Sequence, residues 1–119
     1  MEIKLFDSEL KVMELLWDAG DLSAKDIIER LAESTGWNRT TTYTVIRKCI
    51  TKKAIERYEP NFMCHALVTR DEVRKAETAE LIDKLFGGSK DMLLASLLSD
   101  EKMSKDDIRK LREYIKNFK

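Results

Sequence analysis

NRTTTYTVIRKCITKK, residues 38–53, is the stretch that predicts the fold. Its apolar positions recur every three or four residues, which indicates one inward face of a helix ending near Lys53. Asn38 is a favoured N-cap residue and is expected to start that helix. Thr42, Val45, Ile46, Cys49 and Ile50 form the predicted inner stripe. The remaining positions are polar or basic, so the outward face carries mostly hydrogen-bond donors.

Two helices are predicted before this segment and a hairpin after it. Asp7 or Ser8 is expected to cap the first helix, and the second begins at a Ser23 cap and ends near Gly36. The runs 54–58 and 62–68 are β-prone and flank the turn-like residues 59–61. The order helix, helix, helix, hairpin is typical of a winged helix-turn-helix. We therefore predict a mainly α fold with a small β-hairpin, in which residues 1–70 form a winged-helix DNA-binding domain.

The remaining residues, 71–119, are predicted to form a helical dimerisation domain. The patterns indicate a helix from Asp71 to Phe86, a very apolar helix over 92–98 and a last helix capped by Ser104. About fifty residues cannot bury three leucine-rich faces alone, and a symmetric homodimer would cover them. The alternative is a helical bundle packed on the winged helix of the same chain. The predicted dimer contacts are Leu81, Leu85, Leu93, Leu94, Leu97, Leu98, Leu111 and Ile115.

The charge is balanced overall but unevenly distributed. The 22 basic and 22 acidic residues cancel, yet residues 1–36 hold four bases against nine acids. Residues 37–58 hold six bases against the single acid Glu56. A local basic patch matters more than net charge for binding a polyanion. This patch coincides with the third helix and the entry to the hairpin, which favours double-stranded DNA as the partner.

In a winged helix, residues at the start of the third helix reach base edges in the major groove. We expect Arg39, Thr41 and Arg47 to contact bases, and Lys52 and Arg57 to contact phosphates. Two alternatives remain, namely that the basic residues only solvate the surface, or that the helix docks a protein partner. The complete predicted DNA-binding set is Asn38, Arg39, Thr40, Thr41, Thr42, Tyr43, Thr44, Arg47, Lys48, Lys52, Lys53 and Arg57.

Other classes of function find little support in the sequence. A zinc site needs three or four ligands, whereas Cys49 falls on the inner stripe and Cys64 and His65 point to opposite faces of a strand. No nucleophile–base set or glycine-rich phosphate loop is present, so neither an enzyme nor a bound cofactor or metal is expected. No apolar run approaches about 20 residues and no signal-peptide pattern is seen, which predicts a cytoplasmic protein.

Six short segments resemble the penicillinase and methicillin-resistance repressor family, of the BlaI/MecI type. The resemblance covers nearly the whole chain, and it is the order and spacing of the segments that make it specific. The segments are SELKVMELLW at 8–17, LSAKDI at 22–27, TTYTVIRK at 41–48, KKAIER at 52–57, LFGG at 85–88 and LLASLL at 93–98.

The resemblance implies a repressor that binds its operator as a dimer. In this family repression is relieved by cleavage in the dimerisation domain, which a membrane β-lactam sensor with a metalloprotease domain triggers. The family's cleaved Asn-Phe pair falls on Ser96 and Leu97 here, so the residue types at that bond differ. Copper-responsive relatives carry Cys-x-Cys pairs near the C-terminus, and this chain carries none there, so copper control is not expected.

Overall fold

The computed structural model describes residues 3–99 and 104–116, which form six helices and three short strands. In chain order these are α1 (Asp7–Ala19), β1 (Leu22–Ser23), α2 (Ala24–Thr35), α3 (Arg39–Thr51), β2 (Ile55–Tyr58), β3 (Met63–Ala66), α4 (Arg70–Phe86), α5 (Lys90–Leu98) and α6 (Lys105–Lys116). The order through β3 is that of a winged helix, as predicted.

Local capping bonds set the ends of the helices around the turn. The Asn38 side chain accepts a hydrogen bond from the Thr41 N–H at 2.8 Å, and Ser23 accepts one from the Asp26 N–H at 3.1 Å. Gly36 ends α2 with φ of 78°, the left-handed conformation that glycine adopts at little cost. These caps confirm the predicted starts of α2 and α3.

The start of α1 differs from the prediction. Its N-cap is Phe6, which precedes both predicted cap residues, Asp7 and Ser8, and the Phe6 side chain supplies no capping bond. Instead the Glu9 carboxylate turns back and accepts the Phe6 N–H at 2.7 Å. The prediction of an Asp7 or Ser8 cap was therefore wrong, because an acceptor one turn into the helix satisfies this N–H.

The sheet confirms the predicted hairpin and adds a strand. Its order is β1-β3-β2, with both pairs antiparallel. β2 and β3 form the hairpin, or wing, with Ile55 opposite Ala66 and Tyr58 opposite Met63. β1, which the sequence did not predict, places Leu22 opposite Cys64 and so joins the segment between α1 and α2 to the wing.

One apolar core fixes the orientation of α3. The three helices and the sheet all contribute buried side chains. Four of the five residues of the predicted inner stripe of α3 are buried, and Ile50 is partly buried. With that stripe held inside, the polar face of α3 must face outward. The core residues of these elements include Val12, Met13, Leu16, Ile27, Leu31, Val45, Ile46, Cys49, Ile55 and Cys64.

The chain divides into two compact units, Met1–Glu77 and Thr78–Lys119. α4 contributes to both, and Val73 in its first half belongs to the core of the first unit. In the second unit, Ser89 caps α5 by accepting the Met92 N–H at 3.1 Å, and Ser104 caps α6 by accepting the Asp107 N–H at 3.0 Å. The functional boundary at residue 70 stays a prediction. Among the described residues, no helix is long and apolar enough to cross a membrane.

Candidate nucleic-acid interface

The outward face of α3 is polar and cationic over its whole length. Arg39, Thr40 and Thr41 are exposed in its first turn, and Thr44, Arg47 and Lys48 are exposed in the next two. Asn38 is exposed too, but its side-chain oxygen is occupied by the cap bond. The Thr44 hydroxyl donates to the Thr40 carbonyl at 2.9 Å, so this threonine keeps only acceptor capacity for a ligand. α3 therefore offers two arginines, a lysine and several hydroxyls on one surface.

The middle and end of this face form a shallow depression of about 360 Å³. Five residues line it at positions spaced three or four apart, so it follows the helix axis. The lining residues are Thr44, Arg47, Lys48, Thr51 and Lys52. A polyanion that lies along α3 would meet side-chain cations and hydroxyls here and no carboxylate from the lining.

Two residues of the predicted DNA-binding set face inward. Thr42 is 0% exposed, and its hydroxyl donates to the Asn38 carbonyl at 3.3 Å. Burial removes Thr42 from the surface available to DNA, which corrects its inclusion in that set. Tyr43 is half-buried and its ring lies 5.8 Å from that of Phe62, in the turn of the wing. Tyr43 therefore packs the start of α3 against the wing.

The wing presents Arg57 beside an aromatic ring and an acid. The Arg57 Nε donates to the Glu59 carboxylate at 2.6 Å, and its guanidinium carbon lies 3.6 Å from the centroid of the Phe62 ring. The bond from Arg57 lowers the pKa of Glu59, helped by the Phe62 N–H. Lys53 lies exposed between α3 and the wing with φ of 65°. Arg57, a predicted phosphate contact, and Lys53 are both accessible, although Arg57 is partly neutralised by Glu59.

Lys52 is held differently from the other cations of the set. Its ammonium donates to Glu9 Oε1 at 2.6 Å and to the Lys4 carbonyl at 2.8 Å. It also lies 4.2 Å from the centroid of the Phe6 ring. Lys52 was predicted to contact phosphate, and these contacts were not predicted, since Glu9 is 43 residues away in sequence.

Sequence reasoning also missed a link between the wing and the body of the first unit. Asp21, just before β1, accepts a hydrogen bond from the Tyr58 hydroxyl at 2.7 Å and lies 2.7 Å from His65 Nδ1. Tyr58 is on β2 and His65 is on β3, so one carboxylate holds both strands. The bond to His65, and then that to Tyr58, lowers the pKa of Asp21. The bond to Asp21 raises the pKa of Tyr58.

A second link joins the start of α4 to α1. The Arg70 Nη2 donates to Glu14 at 2.8 Å and to Asp18 at 2.5 Å, and its guanidinium lies 5.4 Å from the Trp17 ring centroid. The bonds to Asp18 and Glu14 raise the pKa of Arg70. Trp17 Nε1 donates to the Val68 carbonyl at 2.9 Å. Trp17 is thus a packing and anchoring residue.

The two cysteines and the histidine do not converge. Burial raises the pKa of Cys49 to about 12 and that of Cys64 to about 11, so both thiols stay protonated at neutral pH. His65 is exposed on the opposite face of β3 and bonds Asp21. Among the described residues, no group of three or more potential ligands could hold a metal ion.

The predicted dimer contacts lie on the second unit, and those whose side chains the structure describes are half-buried or exposed. Leu81 is 41% exposed and Leu85 is 64% exposed. The four leucines of α5 are half-buried, and no residue of that helix is buried. Ser96, at the predicted cleavage position, is exposed beside half-buried Leu97. Leu111 and Ile115 fall in α6, but their side chains lie outside the described part of the structure.

The sequence profile of the penicillinase repressor family matches residues 5–117. The chain belongs to this family. The match spans both units, so it includes α3 and the apolar second unit. The family consists of transcriptional repressors. The match confirms the resemblance that the six short segments indicated.

Curated relatives of the family match along most of their length. The methicillin resistance regulatory protein MecI of Staphylococcus aureus (strain N315) is 26% identical over 114 residues, which cover 94% of this chain and 93% of that protein. The penicillinase repressor of Bacillus licheniformis is 18% identical over 118 residues, which cover 98% and 92%. The similarity therefore extends well beyond the winged helix.

Two solved structures of the family share the fold of the first unit. The solution structure of the DNA-binding domain of the repressor BlaI aligns with a TM-score of 0.55 at 21% identity, covering 59% of this chain and 88% of that one. Monomeric Bacillus licheniformis BlaI, in complex with the blaP half-operator, aligns with a TM-score of 0.53 at 22% identity, covering 60% and 90%. The comparison confirms the winged-helix fold.

Proposed function

We propose that this protein is a transcriptional repressor that binds an inverted-repeat DNA operator as a homodimer in the bacterial cytoplasm. The observation that carries the proposal is the outward face of α3, where Arg39, Thr41 and Arg47 are exposed. A helix fits the major groove, and arginine can bond the O6 and N7 acceptors of guanine together. The relative BlaI is known in complex with a half-operator, which supports DNA as the ligand of this surface.

The exposed cations around α3 are the proposed phosphate contacts. Lys48, Lys53 and Arg57 lie along the end of α3 and the entry to the wing, all accessible to a polyanion. Backbone contacts of this kind set the position and affinity of a protein on DNA, whereas base contacts set its sequence preference. Thr42 is left out of the interface because it is buried.

Dimerisation through the second unit is the second part of the proposal. α5 reads KDMLLASLL and no residue in it is buried within one chain. A twofold partner would cover this surface and pair two copies of α3, which matches the symmetry of an inverted repeat. Because tethering makes the second half-site encounter intramolecular, it can raise avidity about 10²–10⁴-fold.

Relief of repression is proposed to act through the same dimer. A cut between Ser96 and Leu97, by a protease system coupled to a membrane sensor, would divide α5 and remove part of the proposed dimer contact. The avidity of the two half-sites would then be lost together with the dimer. Intact mass of the protein in its host under β-lactam challenge tests this part. Derepression while all of the protein stays at full length would contradict it.

The test of DNA binding starts by selecting bound fragments from the source genome and measuring affinity for the selected duplex. If two guanidinium nitrogens of Arg47 bond one base, Arg47→Ala is expected to reduce the free energy of binding to that duplex by about 1–3 kcal/mol. It should also relax the base preference at one position of the operator. Arg74→Ala, an exposed arginine on α4, is the matched control and should leave affinity unchanged.

Two results would contradict the proposed function. One is unchanged affinity in the Arg39→Ala/Arg47→Ala double variant. The other is binding of the wild type that does not weaken with salt, because contacts to phosphate release counterions whereas docking of a protein partner need not do so. The second result would favour a winged helix that binds protein.

A further inference from the structure

Glu9 is a buried carboxylate that the proposed interface does not use. It lies in the first turn of α1 and is 1% exposed. Its Oε1 accepts hydrogen bonds from the Phe6 N–H at 2.7 Å and from the Lys52 ammonium at 2.6 Å. Its Oε2 is buried and has no hydrogen-bond partner among the described residues. The Lys52 ammonium is therefore the charged group that compensates Glu9 in the described contacts.

The Lys52 ammonium in turn contacts three groups of residues 4–9. An ammonium has three donors. Two are directed at Glu9 Oε1 and the Lys4 carbonyl, and the ammonium lies 4.2 Å from the Phe6 ring centroid, within the range of a cation–π contact. These contacts hold the Lys52 ammonium against residues 4–9, and 29% of the side-chain surface stays exposed.

Lys48 and Lys53 provide the contrast within the same stretch of chain. Both are exposed, and neither side chain has a hydrogen bond or ion pair in the described part of the structure. A phosphate can approach them without breaking such a bond. To bind Lys52, the same phosphate would have to remove the counter-charge of a buried carboxylate, and an uncompensated buried charge is strongly unfavourable.

We propose that Glu9 is a positioning residue that holds Lys52 away from the DNA phosphates. This inference rests on the proposed function. By tying Lys52 to residues 4–9, Glu9 removes one cation from the sequence-independent attraction of α3 for DNA. Binding then depends more on the exposed residues of α3 that can read bases. Lys52 fixes the C-terminal end of α3 to the start of α1 instead of contacting the ligand.

The salt dependence of DNA affinity tests this, because each phosphate contact contributes about 0.9 to the slope of log affinity against log salt. Lys48→Gln and Lys53→Gln are expected to make the slope shallower by about 0.9 each. Lys52→Gln is expected to leave the slope unchanged. The three variants lose the same charge, so a difference in slope between them reports whether that lysine contacts a phosphate. The probe is the selected operator duplex and, separately, a duplex of unrelated sequence.

Glu9→Gln gives the opposite expectation. It removes the charge that retains Lys52 and keeps an oxygen to accept the Phe6 N–H. Lys52 should then reach a phosphate, and the slope should become steeper by up to about 0.9, with a rise in affinity for the unrelated duplex. A purely structural role of Glu9 would lower affinity without adding a counterion. Glu9→Met, which supplies no acceptor to Lys52, should show the same steepening.

A shallower slope for Lys52→Gln, by the amount seen for Lys53→Gln, would overturn the inference. So would an unchanged slope in both folded Glu9 variants. Where the Glu9 variants do not fold, Lys52→Gln and Lys52→Met, which retains the apolar stem, decide the matter alone. A wild-type affinity that is independent of salt would instead contradict the proposed function, so the two failures are distinguishable.

Discussion

The helices α3 and α5 differ in a way that their apolar content alone does not suggest. α3 has four buried residues, Thr42, Val45, Ile46 and Cys49, among thirteen that are mostly polar. α5 is nine residues long and far more apolar, yet none of its residues is buried. Burial depends on an opposing surface as well as on hydrophobicity. α3 finds that surface in α1, α2 and the sheet of its own chain.

The distribution of apolar residues around each helix explains the difference. In α3 they form one stripe, so a single core satisfies the helix and leaves a polar face for a ligand. In α5 leucines and Met92 occur on all sides, and a helix that is apolar all round is normally enclosed by other elements. The first unit is thus complete in one chain, whereas α5 retains apolar surface that the proposed homodimer would cover.

The largest expected effect comes from a substitution on the buried face of α3. Ile46→Ala removes a side chain with 0% exposure from the inner face of α3. Because a cavity is left behind, the free energy of unfolding should fall by about 2–5 kcal/mol, at any protein concentration. Chemical denaturation measures it. Thr44→Ala on the exposed face is the control, with a change within about 0.5 kcal/mol. A small loss for Ile46→Ala would mean that α3 is not anchored by its own chain.

The next effect concerns α5. Leu93→Ala/Leu97→Ala should weaken the proposed dimer, since burying one leucine side chain is worth about 1.5–3 kcal/mol, or roughly tenfold or more in the dissociation constant. Sedimentation equilibrium of the full chain measures that constant. Ser96→Ala, on the same helix, is the control. A double variant that dimerises as tightly as the wild type would show that these leucines do not form the dimer contact. A wild type that stays monomeric would show that no second copy covers α5. Either result would remove the contrast with α3.

The smallest expected effect concerns the link between the wing and the segment just before β1, both within the first unit. The pKa of Asp21 lies below its ordinary value of 3.8, so its link to His65 and Tyr58 stabilises the fold above that pH. The contribution should be lost as the pH falls below about 4 and through the lowered pKa. Thermal unfolding between pH 3 and 6 should therefore show a smaller acid-induced loss in Asp21→Asn than in the wild type.

Glu56→Gln is the control for this titration, because Glu56 is an exposed carboxylate on the same strand as Tyr58. Its unfolding should follow the wild type across the same pH range. Identical acid profiles for the wild type and Asp21→Asn would show that this carboxylate does not help to hold the wing.

The predictions from sequence succeeded where the signal is short-range. The caps at Ser23 and Asn38 act on N–H groups three residues away, and Gly36 acts on its own turn. The exposure of Arg47 and Lys48 was predicted from the helical period, because the buried stripe determines which residues lie on the outward side of the helix. Thr42 shows the limit of this reasoning, since it was assigned both to the stripe and to the DNA-binding set, and only its burial decided between them.

By itself, then, the sequence determined the order of helices and hairpin, the inner face of α3, and the family. The tertiary structure decided the partners that are distant along the chain. Leu22 pairs with Cys64, Asp21 holds Tyr58 and His65 across 37 and 44 residues, and Glu9 holds Lys52 across 43. Periodicity and caps report on neighbours within about one helical turn. Which charge meets which across such separations depends on how the core brings the elements together, and no local pattern encodes it.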